Sequence, residues 1–485
     1  MVREQSLRPR ITPSSDAKVG GRLLKFAWAW QPAQRWQRSI AIRGVTWTWT
    51  SDPPLKLPHL IRGHPDLDPL VADFVEKGVI REVVRKASFV SRIFTVPKSD
   101  GSRRLILDLK NLNSFLTTPK FKMSNHNVLR KVLPHGSYMA KIDIKDAYLH
   151  LPIAYRLQKF LSFVHNHKVY AFQALPFGLA IAPYIFTRIL KFPLKRLRAS
   201  GVQVLAYLDD LILWHQDKVT CQKHAKLTVE TLQELGFLIN FEKSILSPSR
   251  TITWLGVVWY GTLPSVGLTQ EFIMGISSMA SELSKKSRLS RKELEKLLGK
   301  AAFAGQIIPQ ARLESHELTP FLRSQETQSP KVMIAVSEMK ETLKFWSVAE
   351  NLVGSFPCRP PSPTLTVWTD ASGRGFGAVT SEDKSIQGLW AHQEQTLHTN
   401  VKELMAVTKA VESNMIRNKT SIILATDNTT TMYVVKNLGS NHSPELQKAF
   451  RLVEEFDLTA VLLQNRIDTF LILIFFDIDT FFKIV

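Results

Sequence analysis

The sequence has very little cysteine: two residues in 485, Cys221 and Cys358. This excludes a disulfide framework and a cysteine-rich zinc module, and it favours a reducing compartment. The N-terminus has no apolar core of the signal-peptide type. The apolar stretch 470–476 is shorter than the roughly 20 residues that a bilayer-spanning helix needs. We therefore expect an intracellular protein of the nucleus or cytoplasm, neither secreted nor inserted in a membrane.

Acidic residues are outnumbered, since 42 Asp and Glu stand against 63 Lys and Arg, a formal net charge of +21. Such a surplus favours a polyanionic partner because Lys and Arg bind phosphates by charge and counterion release. An anionic membrane surface is the alternative, but no basic amphipathic anchor stands out. The 44% hydrophobic and 22% charged content is that of a globular chain, and the length suggests roughly two to four domains.

Tryptophan is concentrated near the N-terminus. We expect residues 1 to about 20, which are polar and basic, to be disordered. The tryptophans between positions 28 and 49 alternate with arginines and could stack on bases or sugars. Packing of this extension onto the main body is the favoured alternative. The five residues are Trp28, Trp30, Trp36, Trp47 and Trp49.

Two adjacent acids, Asp209 and Asp210, stand between the apolar runs 204–206 and 211–214. This pattern predicts a strand, a tight turn and a second strand, with the acids at the hairpin tip. A charged side chain beside a core is costly unless it is paired or bound to a cation. Solvated turn residues are the alternative. Asp143 ends another predicted strand. At that position it can be read equally well as a metal ligand or as the N-cap of a following helix.

A second hairpin is predicted from strands at 89–96 and 103–108, joined by the turn Ser99-Asp100-Gly101. Lys98, Arg103 and Arg104 lie near its tip, where they suit either a mobile flap over a triphosphate or a solvated turn. The chain also shows helical patterns, and the last of these regions contains the capping-box sequence Ser290-Arg-Lys-Glu293. These patterns cover residues 67–82, 182–198, 219–235 and the region 270–350.

The stretch 355–363 is rich in proline and serine and predicts a linker. Beyond it, Asp370 and Asp427 each end a predicted strand, and Glu403 lies near the start of a predicted helix. Three carboxylates from two strand ends and one helix could converge on a divalent cation, with the oxygen ligands that Mg²⁺ prefers.

Taken in chain order, these motifs resemble a retroelement reverse transcriptase followed by a ribonuclease H domain. The resemblance covers about residues 60–465 and, with Phe177-Gly178-Leu179 in the third motif, is most similar to retrotransposons of the DIRS type. It implies an α+β right-hand polymerase with fingers, palm and thumb, then an α/β ribonuclease H-like domain. The motifs are Lys98…Arg104…Asp108, Asp143-Ile-Lys-Asp-Ala-Tyr148, Leu175-Pro-Phe-Gly-Leu179, Tyr207-Leu-Asp-Asp210, Leu235-Gly-Phe…Lys243-Ser244, Trp254-Leu-Gly256, Thr369-Asp-Ala-Ser, Glu403 and Thr426-Asp-Asn428.

The resemblance implies two-metal nucleotidyl transfer, in which Mg²⁺, or Mn²⁺ as an alternative, assists attack of a primer 3′-hydroxyl on the α-phosphate of a dNTP. Asp143 and Asp209 are the implied bridging ligands, and Asp210 supports the site. Lys243 is the implied proton donor to pyrophosphate, with an ordinary surface lysine as its alternative.

The remaining implied roles concern the nucleotide. Lys98 and Arg104 would hold the triphosphate. Tyr148 would collide with a ribose 2′-hydroxyl and so favour deoxynucleotides, which disfavours an RNA polymerase. Phe177 and Gly178 would line the nucleotide and template side. Because Phe177 stands where many relatives carry Gln, no hydrogen-bonding role transfers to it.

In the second domain, Asp370, Glu403 and Asp427 match three of the four metal-binding carboxylates of ribonuclease H. The fourth has no match in its usual context; Asp468 is a stand-in in the wrong surroundings, and the residues that follow it are apolar. The sequence thus predicts a ribonuclease H-like domain of doubtful activity. A decayed element product that binds nucleic acid without catalysis is the alternative to a polymerase.

The expected partners are an RNA template, a DNA primer, an RNA/DNA hybrid and dNTPs. The expected division of the chain is a basic Trp-rich, partly disordered extension (1–56), fingers and palm (57–260), a helical thumb or connection (261–354), a Pro-rich linker (355–364), an incomplete ribonuclease H-like domain (365–467) and an aberrant apolar tail (468–485).

Overall fold

The computed structural model of the chain divides into two units, residues 1–255 and 256–485. Lys98 and Asp468 lie outside the described part of the chain, as does nearly all of the predicted disordered terminus. The structure describes residues 18–97, 101, 103–323, 333–359, 362–413, 415–416, 421–437, 439–440, 443–454, 458–463 and 470–476.

The first unit combines a central antiparallel sheet, a smaller sheet, a hairpin and seven α-helices among the described residues. Its elements are α1 (Arg35–Arg43), α2 (Asp68–Glu76), β1 (Ile80–Val83), β2 (Ile93–Pro97), β3 (Arg103–Leu107), α3 (Lys110–Asn113), α4 (His126–Val132), β4 (Tyr138–Asp143), α5 (Tyr155–Gln158), β5 (Ser162–His165), β6 (Lys168–Phe172), α6 (Ala182–Ala199), β7 (Gln203–Tyr207), β8 (Asp210–His215), α7 (Lys218–Glu234), β9 (Ile245–Ser249) and β10 (Thr251–Trp254).

The central sheet has the strand order β7-β8-β4-β9. Its middle strands β4 and β8 are largely buried, because their apolar residues pack against α7, while α6 packs against the neighbouring strand β7. The register pairs Asp143 of β4 with Asp210 of β8. The predicted hairpin therefore exists, and the sheet brings its tip to the end of the strand that carries Asp143.

The smaller sheet has the order β1-β6-β5, and β2 and β3 form a separate hairpin in which Val96 pairs with Arg104. The sequence placed the first strand of this hairpin at 89–96; it begins later, at Ile93, because residues 89 and 91 instead donate hydrogen bonds to the carbonyls of Lys159 and Ser162. The helix predicted over 67–82 ends at Glu76, and Gly78 follows with a φ of 68°.

The tryptophan-rich segment packs onto the first unit. Trp30 is fully buried and its indole N–H donates to the carbonyl of Leu235 at 3.0 Å. Trp47 is buried, and Trp49 packs against Phe160 with ring centroids 4.7 Å apart. Trp28 remains 45% exposed. The packing interpretation of these tryptophans therefore holds for most of the segment that the structure describes.

The second unit contains a helical region and a six-stranded sheet. Its elements are β11 (Val257–Tyr260), β12 (Ser265–Leu268), α8 (Gln270–Ser284), β13 (Arg288–Ser290), α9 (Arg291–Ala304), α10 (Pro309–Arg323), β14 (Met333–Ala335), α11 (Lys340–Ser347), β15 (Phe356–Pro357), β16 (Leu365–Ala371), β17 (Gly375–Thr380), β18 (Ser385–Leu389), α12 (Thr399–Glu412), β19 (Ser421–Thr426), α13 (Thr429–Asn437), α14 (Pro444–Glu454), β20 (Leu458–Leu463) and β21 (Phe470–Phe476).

Helix α9 begins with the predicted capping box: the Ser290 side chain accepts from the Glu293 backbone and the Glu293 side chain accepts from the Ser290 backbone. The predicted linker differs from the structure in its first residues. Phe356–Pro357 forms β15 and pairs with β12, and the Cys358 N–H donates to the carbonyl of Pro264. Proline is tolerated there because β15 is a short edge strand.

The six-stranded sheet has the order β18-β17-β16-β19-β21-β20, with β16 and β19 parallel and the other pairs antiparallel. Strand β21, Phe470–Phe476, lies between β19 and β20. The sequence-based boundary at residue 467 thus falls inside this sheet. The apolar run that reads as an aberrant tail has the composition of a strand hydrogen-bonded on both sides.

Among the helices that the structure describes, none combines the length and the apolar character of a membrane-spanning segment.

Candidate active site

The hairpin tip consists of Leu208 and Asp209, between paired residues Tyr207 and Asp210. Leu208 has a φ of 53°, in the left-handed region that costs a non-glycine residue about 1 kcal/mol or more. The turn is fixed from its side, since the Ile144 N–H donates to the carbonyl of Asp209 at 2.9 Å. This bond ties the tip to the end of β4, so Asp143, Asp209 and Asp210 are neighbours.

The three carboxylates repel one another. Burial, more than the neighbouring Asp210, raises the pKa of Asp143, and burial together with the charges of Asp210 and Asp143 raises the pKa of Asp209. Lys141 Nζ lies 3.1 Å from Asp210 Oδ1, but without hydrogen-bond geometry, so this buried oxygen has an ion-pair partner and no donor. A half-buried anionic cluster with an unsatisfied oxygen fits a divalent cation with oxygen ligands.

Residues 235–244, which we call the strap, follow α7 and lie along the end of β4. The Asp143 N–H donates to Ser244 Oγ at 3.0 Å, and the Ser244 hydroxyl donates to the carbonyl of Asn240. The Asn240 N–H in turn donates to the carbonyl of Asp143 at 2.9 Å. The Lys243 side chain is exposed, and its charge lowers the pKa of Asp143 against the larger effect of burial. The strap therefore brings a cation to the carboxylate cluster.

Tyr148 lies beside the carboxylates on a 3₁₀ turn, Ala147–His150, and is 8% exposed. Its ring is held between Phe177 at 5.1 Å and Phe186 at 5.4 Å, centroid to centroid. Burial, with smaller contributions from the charge of Asp209 and from Tyr207, raises the pKa of its phenol. The neutral, tightly packed Tyr148 ring therefore forms a rigid wall beside the carboxylate cluster, and it can exclude a substrate group by steric contact.

Phe177 and Gly178 continue the wall that Tyr148 begins, since the Phe177 ring packs on the Tyr148 ring. Arg104 of β3 places its guanidinium 5.0 Å from the Phe177 ring centroid, and its charge lowers the pKa of Asp209. Gly178 has a φ of 91°, which favours glycine. Asn113 of α3 holds this loop from below, since it donates to the carbonyl of Gly178 and accepts from the N–H of Ala180, both at 2.9 Å.

The sequence motifs did not identify several positioning residues. Asn113 carries no signal of its own, because Asn is common in loops. Asn240 and Ser244 could have been found from their position shortly after Gly236, which ends the preceding helix, since Asn and Ser often bond to nearby backbone groups. Lys141 alternates with the buried residues of β4 and so reads as a solvent-facing strand lysine. Their partners lie far away in sequence and only the fold brings them close.

His150, two residues after Tyr148, is fully buried. Its Nδ1 lies 3.1 Å from the carbonyl of Ala147, and its Nε2 accepts from the N–H of Leu238 at 2.9 Å. These partners require the neutral tautomer with hydrogen on Nδ1. Burial lowers the pKa of His150 to about 3. The ring is a structural connection between the Tyr148 turn and the strap.

This environment predicts acid sensitivity of the first unit. The native pKa of about 3 lies below the ordinary histidine pKa of 6.5, so between these values the unfolded chain binds a proton that the native chain excludes. Stability is therefore full above pH 6.5 and falls between pH 6.5 and 3. By pH 5 we expect a loss of about 2 kcal/mol. Urea unfolding at pH 7.5 and pH 5 measures it. The variant His150→Gln should lose this pH dependence; if it keeps all of it, other groups are responsible.

In the second unit, Asp370 of β16, Glu403 of α12 and Asp427 after β19 converge. One carboxylate oxygen from each residue lies within 4.8 Å of the other two, and among the described residues no other set of three potential ligands is gathered so closely. Glu403 is 5% exposed and its Oε2 has no hydrogen-bond partner. Burial, then the charges of Asp370 and Asp427, raise the pKa of Glu403 to about 7. This donor set fits a divalent cation.

Two neighbours on α12 support this cluster. Lys402 is buried, and its ammonium donates to the carbonyls of Gln395 at 2.8 Å and Gly373 at 3.2 Å, which fixes the loop after Asp370. Asn428, next to Asp427, donates to Asn400 Oδ1 at 3.0 Å. The strand ends are thus tied to the helix that carries Glu403. An open groove of about 640 Å³ follows the sheet face beside Asp370 and Asp427.

Residues 96–259 match the family model described as reverse transcriptase (RNA-dependent DNA polymerase). The chain is similar to the retrovirus-related Pol polyprotein from transposon opus of Drosophila melanogaster, with 24% identity over 77% of this chain and 38% of that one. It is also similar to the transposon Tf2-7 polyprotein of Schizosaccharomyces pombe, with 25% identity over 70% of this chain and 25% of that one. It therefore spans well under half of either relative.

Among solved structures, the chain is similar to the foamy viral protease-reverse transcriptase dRH in complex with double-stranded DNA, with a TM-score of 0.56, 20% identity and coverage of 84% of this chain and 74% of that one. The foamy viral enzyme with an RNA/DNA hybrid gives a TM-score of 0.53, 19% identity and coverage of 80% and 55%. At these identities the likeness concerns the fold, and it supports the predicted right-hand polymerase. Residues 96–259 thus match the reverse transcriptase family model, and the chain as a whole is similar to polyproteins of transposons.

Proposed function

We propose that this chain is an RNA-directed DNA polymerase that extends a primer with dNTPs. The observation that carries the proposal is the carboxylate cluster of Asp143, Asp209 and Asp210 at one end of the central sheet, beside the wall formed by Tyr148 and Phe177. The net charge of +21 suits a nucleic-acid partner. The foamy viral relatives were solved with double-stranded DNA and with an RNA/DNA hybrid, and we propose the same classes of partner here.

In the proposed reaction, Asp143 and Asp209 are the principal ligands for Mg²⁺, with Mn²⁺ as the alternative, and Asp210 supports them. The metal, when bound, supplies charge that favours deprotonation of the primer hydroxyl and stabilises the phosphoryl oxygens. The chain itself does the rest. The Arg104 guanidinium lies 5.0 Å from the Phe177 ring centroid and close enough to Asp209 to lower its pKa. In the proposed reaction this planar guanidinium binds the triphosphate. Lys243 is the proposed proton donor to pyrophosphate.

Tyr148 is the proposed discriminator between deoxyribose and ribose. Its ring cannot swing aside easily, because Phe177 and Phe186 pack on it. A rigid ring at the sugar leaves no room for a 2′-hydroxyl. The choice of deoxynucleotides then follows from contact rather than from a hydrogen bond.

The test of this function is primer extension with the full chain on an RNA template. We expect Mg²⁺-dependent incorporation of dNTPs. Binding of the primer–template without incorporation at any metal concentration would favour a product that only binds nucleic acid. Incorporation of ribonucleotides as fast as deoxynucleotides would favour an RNA polymerase.

We propose a second cation site at Asp370, Glu403 and Asp427, in a ribonuclease H-like domain acting on an RNA/DNA hybrid. The support is the 4.8 Å cluster and the unpartnered Oε2 of Glu403. The strand order β18-β17-β16-β19, in which β17 and β18 are antiparallel and β16 and β19 are parallel, agrees with such a domain. Because β21 lies between β19 and β20, the segment that would supply a fourth carboxylate departs from the family pattern, and cleavage is expected to be weak.

This second site predicts cation binding that depends on Glu403. Mn²⁺ should raise the thermal unfolding temperature of the second unit, because a bound cation relieves the repulsion among three close carboxylates. Glu403→Gln removes a charge at nearly constant volume and should reduce the shift at least by half. The matched control Glu412→Gln changes an exposed glutamate of the same helix, paired with Lys409, and should leave the shift intact. Equal shifts in all three proteins would contradict the site.

We also propose that the chain is the product of a DIRS-type element, because it contains Phe177-Gly178-Leu179 in the third motif. We propose further that it acts inside the cell, in the nucleus or cytoplasm. Extension of the sequence comparison to the DNA that encodes the chain tests the first placement. A tyrosine recombinase gene nearby is the expected finding for a DIRS-type element, and an integrase gene is the finding that would contradict it.

A further inference from the structure

One side of the strap, residues 235–244, contacts the end of β4, where Asp143 lies. Isolated bridge pairing joins Ile144 to Ile239, and the Lys145 N–H donates to the carbonyl of Leu238 at 2.9 Å. Together with the bonds of Asp143 to Asn240 and Ser244, these contacts mean that the strap cannot shift without moving the end of β4. The position of Lys243 is set by the same segment.

The other side of the strap is held by the N-terminal segment, residues 19–30. The buried Trp30 indole donates to the carbonyl of Leu235 at 3.0 Å, and Arg22 Nε donates to the carbonyl of Gly236 at 3.0 Å. These carbonyls lie just past the end of α7, where helix carbonyls lack intrahelical partners. A cation is favourable at that end of a helix dipole.

Apolar packing completes the contact. Gly236 has a φ of 94°, and the Phe26 ring lies so close that a Cβ on Gly236 would come within 2.7 Å of it. Trp30 packs edge-on against Phe237 with centroids 6.2 Å apart. Glycine at this turn is therefore required twice, by the backbone conformation and by the aromatic ring that covers it.

The same segment also reaches the turn that carries Tyr148. The Gly21 N–H donates to the carbonyl of Leu149 at 2.9 Å. His150, on that turn, accepts from the Leu238 N–H of the strap. Residues 19–30, the Tyr148 turn and the strap are thus joined in a closed set of contacts behind the carboxylate cluster.

We propose that residues 19–30 are a positioning element of the polymerase active site: through Trp30 and Arg22 they fix the strap and so set the placement of Lys243 and Asp143. This inference rests on the proposed polymerase function. Residues 19–30 act through the strap and contact no substrate. Their loss should slow the chemical step and leave substrate binding unchanged.

Two variants test the contacts with little change in shape. Trp30→Phe keeps an aromatic ring and removes the indole donor. Arg22→Met keeps a long, unbranched side chain and removes the guanidinium. Trp28→Phe and Lys25→Met, at exposed positions of the same segment, are the matched controls. If Trp30→Phe does not fold, Arg22→Met carries the test, because Arg22 is only partly buried.

Hydrogen–deuterium exchange gives a readout that needs no catalysis. Loss of one donor should speed exchange about tenfold at the strap amides of Phe237, Leu238 and Asn240 and at the Asp143 amide. The sheet β16–β19 of the second unit should be unaffected. Unchanged exchange at the strap, or an equal rise throughout the first unit, would overturn the inference even if the chain showed no polymerase activity.

Single-turnover incorporation gives the second readout. Either variant should lower the maximal rate about tenfold, with little change in the apparent affinity for dNTP or primer–template. In a Lys243→Ala background the same variants should have a smaller effect, because both changes act through the strap. Fully additive losses, or a loss confined to substrate affinity, would contradict positioning through the strap. An inactive wild type with the expected exchange pattern would refute the proposed function and leave the contact set supported.

Discussion

Asp209→Asn is expected to lower the rate of nucleotide incorporation about a thousandfold. The substitution keeps the volume of the side chain and removes one of the two negative charges proposed to hold Mg²⁺. A metal contributes several kcal/mol to the stabilisation of a phosphoryl transition state, and about 4 kcal/mol corresponds to a factor of a thousand. Single-nucleotide extension of a primer on an RNA template, with excess enzyme, measures the rate directly.

Asp210→Asn provides the internal comparison. Asp210 already interacts with Lys141 at 3.1 Å, so its loss should reduce the rate less than the loss of Asp209. Asp73→Asn, at an acid of α2 paired with Lys77, should have no effect. If Asp209→Asn retained a rate within a factor of ten of the wild type, the hairpin tip would not be the metal site.

Tyr148→Ala is expected to reduce the preference for dNTPs over rNTPs on the order of a hundredfold. The preference depends on contact with a single hydroxyl group, and a hydrophobic wall discriminates against one hydroxyl by about that amount. The ratio of the two rates per active enzyme is the quantity to measure. Removing a buried ring also costs about 3–5 kcal/mol of stability, so the fraction of folded protein must be determined alongside.

Tyr148→Phe is the matched control for this prediction. It keeps the ring that packs between Phe177 and Phe186 and removes only the hydroxyl. We expect the preference for dNTPs to be retained. If Tyr148→Ala kept the wild-type ratio, or Tyr148→Phe lost it, exclusion by the ring would be the wrong explanation.

Several local elements of the two units were predictable because each is encoded by adjacent residues. The apolar runs on either side of Asp209 define the hairpin, and Ser290 with Glu293 defines the start of α9. Periodicity and turn residues carry this information within a few positions. The meeting of Asp143 with Asp209 could be expected from the resemblance, but the register that pairs Asp143 with Asp210 is a property of the sheet.

Contacts that span long stretches of chain were not predictable. The bond of Trp30 to Leu235 joins residues 205 positions apart; the sequence favoured packing of the tryptophans onto the main body but could not identify the partner of Trp30. Phe470–Phe476 is too apolar to read as a designed terminus until the structure shows strands on both sides of it. Phe356–Pro357 reads as linker because proline disfavours interior strands, yet it forms a short edge strand.

The two carboxylate clusters also differ in a way that the sequence does not reveal. In the second unit, burial and repulsion concentrate on Glu403, whose pKa rises to about 7. In the first unit, the cations Lys141, Lys243 and Arg104 partly offset the repulsion felt by Asp143 and Asp209. Lysines in this arrangement suit a site that must accept a triphosphate as well as a metal, since each phosphate adds negative charge.

The most direct test of the central claim is dNTP incorporation by the wild-type chain on a primed RNA template, with Mg²⁺ or Mn²⁺ and with EDTA as control. The account predicts template-directed extension that requires the metal and disappears in Asp209→Asn. Tight binding of the primed template with no extension under either metal would contradict it, and would leave this chain a nucleic-acid-binding protein with the fold of a polymerase.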